Sequence, residues 1–60
     1  MSEFIIEGSK LDGRYYDDRK VIVPIVGDHF EDDYILVKVV KRTINAHGNV
    51  TIKCKDVKRV

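Results

Sequence analysis

A chain of 60 residues with a formal net charge of +1 is long enough for one domain, which we place at residues 1–60. So short a chain buries only about 60% of the surface that it exposes when unfolded, which makes the core thin and leaves little room for a substrate pocket. With a single cysteine and two scattered histidines, it cannot form a disulfide within the chain and lacks the paired ligand spacing of a structural zinc site, so we expect neither a metal nor a cofactor.

The first third of the chain predicts a β-hairpin. No segment shows apolar residues at helical spacing, and β-branched and aromatic residues dominate the apolar positions, which favours strands. The first strand covers roughly residues 3–7 and could run on towards Leu11. Asp12-Gly13 predicts a tight two-residue turn, since both positions of such a turn must tolerate positive φ. A second strand starts near Arg14 and is interrupted at residues 17–18 by a bulge or a turn.

The middle of the chain predicts a third strand followed by a loop. Residues 20–26 form an apolar run of strand length. Pro24 within this run has no N–H group to donate, which places it at a sheet edge or a bulge. Residues 27–33 are polar and acidic, and we expect them to form a loop.

The last third of the chain gives the most convincing strand pattern. Residues 34–44 predict a long strand, residues 45–48 a turn and residues 49–55 the last strand. About five short strands, mostly antiparallel, predict an all-β fold, namely a small single-domain antiparallel barrel of the SH3-like or OB-like kind. A flat meander is the alternative.

Charge is divided unevenly between the two halves of the chain. Residues 1–33 hold four Lys or Arg against nine Asp or Glu, a balance of −5. Residues 34–60 hold seven against one, a balance of +6. Such asymmetry is typical of proteins with an anionic partner. The alternative is that the two halves neutralise each other across the sheet.

The register of the last predicted hairpin follows from its apolar alternation. Every second residue from Val50 is apolar and faces the core, and a four-residue loop, 45–48, pairs Val39 with Cys54. Lys41 then lies at the margin of the core. The same register places Lys38 directly opposite Lys55. Like charges directly opposed on a sheet are destabilising, so this pair favours an anionic partner or an acidic neighbour. The outer face collects the basic residues and one aromatic residue: Tyr34, Lys38, Arg42, Lys53 and Lys55.

This basic face predicts a non-catalytic module that binds single-stranded RNA or DNA, with the cations on phosphates and Tyr34 stacking on a base. Tyr15 and Tyr16 are adjacent and point to opposite faces, so one faces the core and the other is exposed. The exposed ring, beside Arg14, could stack on a base or contact a protein, or could equally serve cross-strand packing. The sequence has no P-loop, dinucleotide fingerprint, nucleophile elbow or carboxylate pair at a defined spacing. We therefore expect that the protein is not an enzyme.

The acidic segment supports a second hypothesis, a small modulator or inhibitor that binds a cellular protein, of the kind that phages and viruses encode. An exposed sheet edge would add a strand to the partner. Phe30 would be an exposed anchor, although it could equally plug the end of the barrel. A third hypothesis is a self-associating accessory domain that forms a homo-oligomer. The predicted protein contact consists of Phe30, Glu31, Asp32 and Asp33.

The apolar run of residues 20–28, which ends in Pro24-Ile25-Val26-Gly27-Asp28, and the alternating Val/Lys run of residues 35–42 resemble the middle of a TRAM domain. The resemblance covers about half the chain and implies an OB-like barrel that binds RNA. The sequence departs from that family's pattern at residues 12–18, where a glycine-rich turn is expected, and after Val26, where the loop is longer and more acidic.

A lone free cysteine and an N-terminus without a basic segment or a long apolar stretch favour a reducing, cytoplasmic location. The apolar runs are far shorter than a membrane span, so we expect no membrane partner.

Overall fold

The computed structural model describes residues 3–57, and this part of the chain folds into five strands without a helix. The strands pair in the order β2-β1-β5-β4-β3, in a sheet that curls into a half-barrel. The predicted small, all-β, barrel-like fold is therefore confirmed. The strands are β1 (Glu3–Glu7), β2 (Tyr15–Asp17), β3 (His29–Asp32), β4 (Ile35–Ile44) and β5 (Val50–Asp56).

The sheet differs from a purely antiparallel one at its centre. Of the four strand pairings among the described residues, β1–β2, β5–β4 and β4–β3 are antiparallel, whereas β1 and β5 pair in parallel. Two antiparallel hairpins, β1–β2 and β4–β5, thus meet along this parallel seam. Side chains on one face of β1 and β5 consequently form a continuous surface at the middle of the sheet.

The predicted hairpin between β1 and β2 forms, but its connection is not a two-residue turn. The connection covers residues 8–14, and Gly13 has a φ of +83° whereas Asp12 does not adopt positive φ. Asp12 instead accepts a hydrogen bond from the backbone N–H of Gly8 at 2.8 Å through its carboxylate. The wider loop allows Leu11 to reach the core, where its side chain is fully buried.

The predicted strand at residues 20–26 is absent. This segment crosses between the two edge strands, β2 and β3, in an irregular conformation. Val21 and Val23 pack against the core and Pro24 is buried, whereas Ile22 is 90% exposed. The apolar run therefore covers the core without joining the sheet.

The predicted loop at residues 27–33 is mostly a strand. β3 pairs with the first half of β4, for example through Phe30 and Val37. Asp33 and Tyr34 form the two-residue turn between the strands, with φ values of 49° and 68°. The predicted start of the fourth strand at Tyr34 is thus one residue early, because Tyr34 belongs to this turn.

The β4–β5 hairpin is confirmed, with one irregularity in its register. Val39 pairs with Cys54 and Lys38 with Lys55, as predicted. A β-bulge then follows between Val39 and Lys41, so Val40 is an extra residue on β4. Beyond the bulge every pair is shifted by one residue from the predicted register, and Ile44 pairs with Val50.

The core lies on the concave side of the sheet. The thiol of Cys54 is part of it, and burial, followed by the negative charge of Asp56, raises the pKa of this thiol. Tyr16, Val21, Val23, Phe30 and Ile35 pack around the centre. The buried apolar side chains of the described residues are Phe4, Ile6, Leu11, Val37, Val39, Val50, Ile52 and Cys54.

Candidate nucleic-acid interface

Four lysines share the convex side of the β4–β5 hairpin. They form two directly opposed pairs, Lys38 with Lys55 and Lys41 with Lys53, and all four side chains are exposed. Directly opposed residues point to the same face of a sheet, with Cβ atoms about 5 Å apart, and successive pairs on one face are about 7 Å apart along the strand. We call these four residues the lysine face.

The bulge at Val40 decides which basic residues belong to the lysine face. Two residues of β4 oppose one residue of β5 at the bulge, so the alternation of β4 is inverted beyond it. Arg42 therefore pairs with the buried Ile52 and lies on the opposite face of the sheet, contrary to the prediction. Lys41, which was predicted at the margin of the core, lies instead on the lysine face, opposite Lys53.

Tyr34 does not lie on the lysine face. It occupies the tip of the β3–β4 turn, where its side chain is 90% exposed and its backbone has a φ of 68°. The assignment of Tyr34 as the stacking residue depended on its being part of the strand, and the turn removes that basis.

Tyr15 is an exposed aromatic residue on the convex side of the sheet. It pairs with Ile5 on β1, and Ile5 in turn pairs with Thr51 on β5, two residues before Lys53. Its side chain is 71% exposed. The neighbouring Tyr16 faces the core and stacks on Phe4 with ring centroids 5.2 Å apart. The expectation that one of the adjacent tyrosines is exposed is met by Tyr15.

Most acidic residues of the N-terminal half have partners other than the lysine face. Within residues 3–57, no ion pair joins any of the four lysines to a carboxylate. Five of the nine acidic residues of the negative half instead bind groups of that same half. The aspartates that bind groups of their own half are Asp12, Asp17, Asp28, Asp32 and Asp33.

The lysines lie close enough to repel each other. Two unit charges about 6 Å apart in water repel by about 0.7 kcal/mol, and this cost is reduced by salt. Glu7 pairs with Lys53 across the parallel seam and is the acidic residue beside it on β1. The aliphatic part of Lys53 lies against Gly8, with its Cγ 3.6 Å from the position that a Cβ on Gly8 would occupy. The surface thus holds four lysines, one of them beside a carboxylate, at a modest energetic cost.

The residues predicted to form a protein contact are only partly available. Phe30 is partly buried, with its ring 4.9 Å from Tyr16 and 6.1 Å from Phe4 between centroids, so it fills the barrel end rather than standing exposed. Arg14 forms ion pairs with Asp32 at 3.1 Å and Asp33 at 2.9 Å. Glu31, the remaining member of the set, is exposed on β3.

Part of β4 has an edge to which no described residue pairs. In an antiparallel ladder, pairs that exchange backbone hydrogen bonds alternate with pairs that do not. The backbone N–H of Asn45 donates to the carbonyl of Asn49 at 3.0 Å, so Asn45 belongs to a hydrogen-bonded pair, and the residues before it on β4 alternate accordingly. Arg42 and Ile44 consequently direct their N–H and C=O groups away from β5. On that side the pairing with the β3 segment reaches only as far as Val39, whose N–H and C=O bond with residues 27–28.

No protein-family model matches the chain, and searches of curated proteins and of solved structures likewise find no match. The resemblance to a TRAM domain therefore has no support from a family model, and its first apolar run is not a strand in the structure. Lys58 and Arg59 of the basic half lie outside the described residues. No helix among residues 3–57 is long and apolar enough to cross a membrane.

Proposed function

We propose that the protein is a non-catalytic module that binds single-stranded nucleic acid through the lysine face. The observation that carries the proposal is the cross-strand pairing of Lys38 with Lys55 and of Lys41 with Lys53. Within residues 3–57 none of the four forms an ion pair with a carboxylate, and Glu7 is the acidic residue beside Lys53 on β1. Directly opposed lysines repel each other in the free protein. Phosphate groups would relieve this repulsion and release counterions, which favours binding.

Exposed groups beside the lysine face suit a single strand. Proteins that bind single strands without strict sequence preference combine a positive surface for the backbone with aromatic side chains on which bases stack. Tyr15 supplies an exposed ring on the convex side. Thr51 continues the row of Tyr15 and Ile5 onto β5, two residues before Lys53. One strand of nucleic acid could thus contact the cations and the ring together.

A comparison of two double variants tests this proposal. Lys38→Gln with Lys55→Gln removes one lysine pair, and affinity for a 12-nucleotide single strand is measured by fluorescence anisotropy between 50 and 200 mM salt. Each lost phosphate contact lowers the slope of log K against log salt by about 0.7, so we expect a slope smaller by about 1.4.

The matched control carries Lys20→Gln and Arg42→Gln. It has the same net charge as the first variant, but its changes lie in an exposed turn and on the opposite face of the sheet. We expect it to keep the wild-type slope and nearly the wild-type affinity. Equal losses in the two variants would mean that only net charge matters, and an unchanged slope in the first variant would refute the lysine face as the binding surface.

A second candidate function, binding to a protein, is favoured by the open edge of β4. Unpaired N–H and C=O groups of an edge strand are the groups that pair with an added strand. Arg42 and Ile44 offer such groups, and Ile44 is 56% exposed. This form of the modulator hypothesis places the protein contact at the β4 edge instead of at Phe30. Pairing of two copies along this edge would give the self-associating alternative.

A nuclease-treated pull-down with wild-type protein and with Ile44→Lys tests the second candidate. A charged side chain on an edge strand disfavours strand addition. We expect the wild type to recover one partner protein in stoichiometric amount despite nuclease treatment, and Ile44→Lys to recover none of it. Sedimentation of the purified protein at several concentrations distinguishes self-association from binding to another protein, because self-association makes the apparent molecular mass rise with concentration. Recovery of the same protein by both forms would contradict binding at this edge.

A further inference from the structure

A shallow cleft of about 350 Å³ adjoins the lysine face on the convex side of the sheet. It lies where the turn between β4 and β5 meets the first two strands. Its volume is near the lower end of the range for small-molecule sites, about 300–1,000 Å³. The residues that matter for its chemistry are Glu3, Ile5, Tyr15, Asn45, Asn49 and Thr51.

The position of the cleft connects it to the cations. Thr51 lines the cleft and precedes Lys53 by two residues on β5, so both side chains are on the convex face. Two residues along a strand correspond to about 7 Å. A nucleotide whose phosphate contacts the pair formed by Lys41 and Lys53 would therefore have its base within reach of the cleft.

One wall of the cleft is suited to a flat ring. Tyr15 is 71% exposed and is directly opposed to the half-buried Ile5, so the two side chains form an apolar step on the surface. Stacking of a base on an aromatic side chain contributes about 1–3 kcal/mol by alanine substitution. This wall accepts any base, because every base has a π-face.

The polar groups of the cleft are more selective. The Oδ1 atom of Asn45 accepts hydrogen bonds from the backbone N–H groups of His47 at 2.9 Å and Asn49 at 3.0 Å. This orientation leaves the amide nitrogen of Asn45 as a donor for a ligand. The ionised carboxylate of Glu3 offers only acceptors. The cleft therefore combines one oriented donor with one acidic acceptor.

We infer that this cleft binds one base of the nucleic acid and prefers cytosine and adenine to thymine and uracil, an inference that rests on the proposed function. Cytosine and adenine present an amino donor beside a ring-nitrogen acceptor, which complements the Glu3 carboxylate and the Asn45 amide. Thymine and uracil present a carbonyl oxygen in place of the amino group. In the ring position that brings the amino group of cytosine or adenine to Glu3, that oxygen would face the carboxylate without a hydrogen bond between them. The N3–H group of thymine or uracil would reach Glu3 only if the ring shifted along its edge.

Affinities for three 12-nucleotide DNA strands, of cytidine, adenosine or thymidine alone, test the inference by fluorescence anisotropy at low salt. We expect the cytidine and adenosine strands to bind at least about fivefold more tightly than the thymidine strand, the lower end of the discrimination that one good base contact gives. Glu3→Gln should bring this ratio close to one, since a glutamine side chain can also donate to a carbonyl oxygen.

Glu7→Gln is the matched control, because Glu7 has the same charge, lies on the same face of β1 and is outside the cleft. It should retain the base preference, even if both variants bind every strand more tightly through the lost negative charge. Equal binding of the three strands by the wild type would overturn the base preference alone. A preference that survives Glu3→Gln would also overturn it. Failure to bind any strand would overturn the proposed function itself.

Discussion

The phenol group of Tyr16 donates a 2.6 Å hydrogen bond to the carboxylate of Asp32, and this bond joins the two edge strands of the sheet, β2 and β3. Arg14 donates to the same Oδ2 atom of Asp32 at 3.1 Å and to Asp33 at 2.9 Å. We call these four residues the edge latch. The curled sheet is thus held across its open side by side chains, where a closed barrel would have a backbone ladder.

Replacing Tyr16 with phenylalanine should weaken the edge latch while leaving the aromatic packing in place. The ring would keep its stacking on Phe4 and its edge contact with Phe30. A hydrogen bond to a charged group contributes about 1.5–3 kcal/mol, and the partial exposure of this one favours the lower end. We expect a loss of about 1 to 2 kcal/mol in the free energy of unfolding, measured with urea at pH 7.

Tyr15→Phe is the control for this variant, since it removes the hydroxyl of an exposed tyrosine that forms no side-chain hydrogen bond with a described residue. Its free energy of unfolding should stay within about 0.5 kcal/mol of the wild type, as for most surface changes. Similar losses in the two variants would show that the bond to Asp32 does not stabilise the fold.

The edge latch should also make stability depend on alkaline pH. Burial, followed by hydrogen bonding to Asp32, raises the pKa of Tyr16 from its usual value near 10 to about 12. Because the pKa is higher in the folded state, the stabilisation is complete below about pH 10 and is lost as pH rises towards 12. Urea unfolding between pH 9 and pH 11.5 should show a decline that is smaller in Tyr16→Phe. Parallel declines in the two proteins would contradict this origin.

The sequence was sufficient to locate β1 and β5. The bounds of β5 differ from the prediction by one residue at each end, because its alternating pattern with one buried face specifies both the strand and its side. Those of β1 agree with the predicted residues 3–7, where two glutamates enclose three apolar residues. It was insufficient for residues 20–26, where apolar residues cover the core without pairing. A run of apolar residues reports burial, and burial alone does not distinguish a strand from a segment that crosses the core.

The lysine face was only partly predictable for a different reason. The pairs Val39–Cys54 and Lys38–Lys55 follow from the pattern, but the bulge at Val40 does not, since no residue type there requires one. Because of this single extra residue, Lys41 lies on the convex side and the predicted Arg42 does not. The equally apolar character of Val39 and Val40 hides the shift, because either residue could occupy a core position.

The turn at Asp33 and Tyr34 should be a site where stability can be increased. Tyr34 has a φ of 68° and a side chain that is 90% exposed, so it adopts a left-handed conformation without gaining burial. That conformation costs a residue with a Cβ about 1–2 kcal/mol, whereas glycine adopts it freely but loses more conformational entropy on folding. We expect Tyr34→Gly to gain about 0.5 to 1 kcal/mol, which corresponds to a rise of roughly 4 °C in Tm.

Asparagine at position 34 provides a graded comparison, because it tolerates the left-handed region better than tyrosine and less well than glycine. Thermal unfolding should rank the proteins in the order glycine, asparagine, tyrosine, with glycine the most stable. A lower Tm for Tyr34→Gly would mean that the tyrosine ring contributes to the folded state in a way that its exposure does not reveal.

Two glycines with nearly equal backbone angles should respond differently to alanine. Gly8 and Gly13 have φ values of +79° and +83°, so each alanine would incur a similar conformational cost of about 1–2 kcal/mol. A Cβ at Gly8 would lie 3.1 Å from the backbone carbonyl oxygen of Cys54, whereas a Cβ at Gly13 would meet nothing within 4 Å. We expect Gly8→Ala to be the more destabilising substitution in urea unfolding, because the close carbonyl belongs to the central strand β5 and cannot move without disturbing the parallel seam. Equal losses in the two variants would show that the end of β1 can shift away from β5 at no cost.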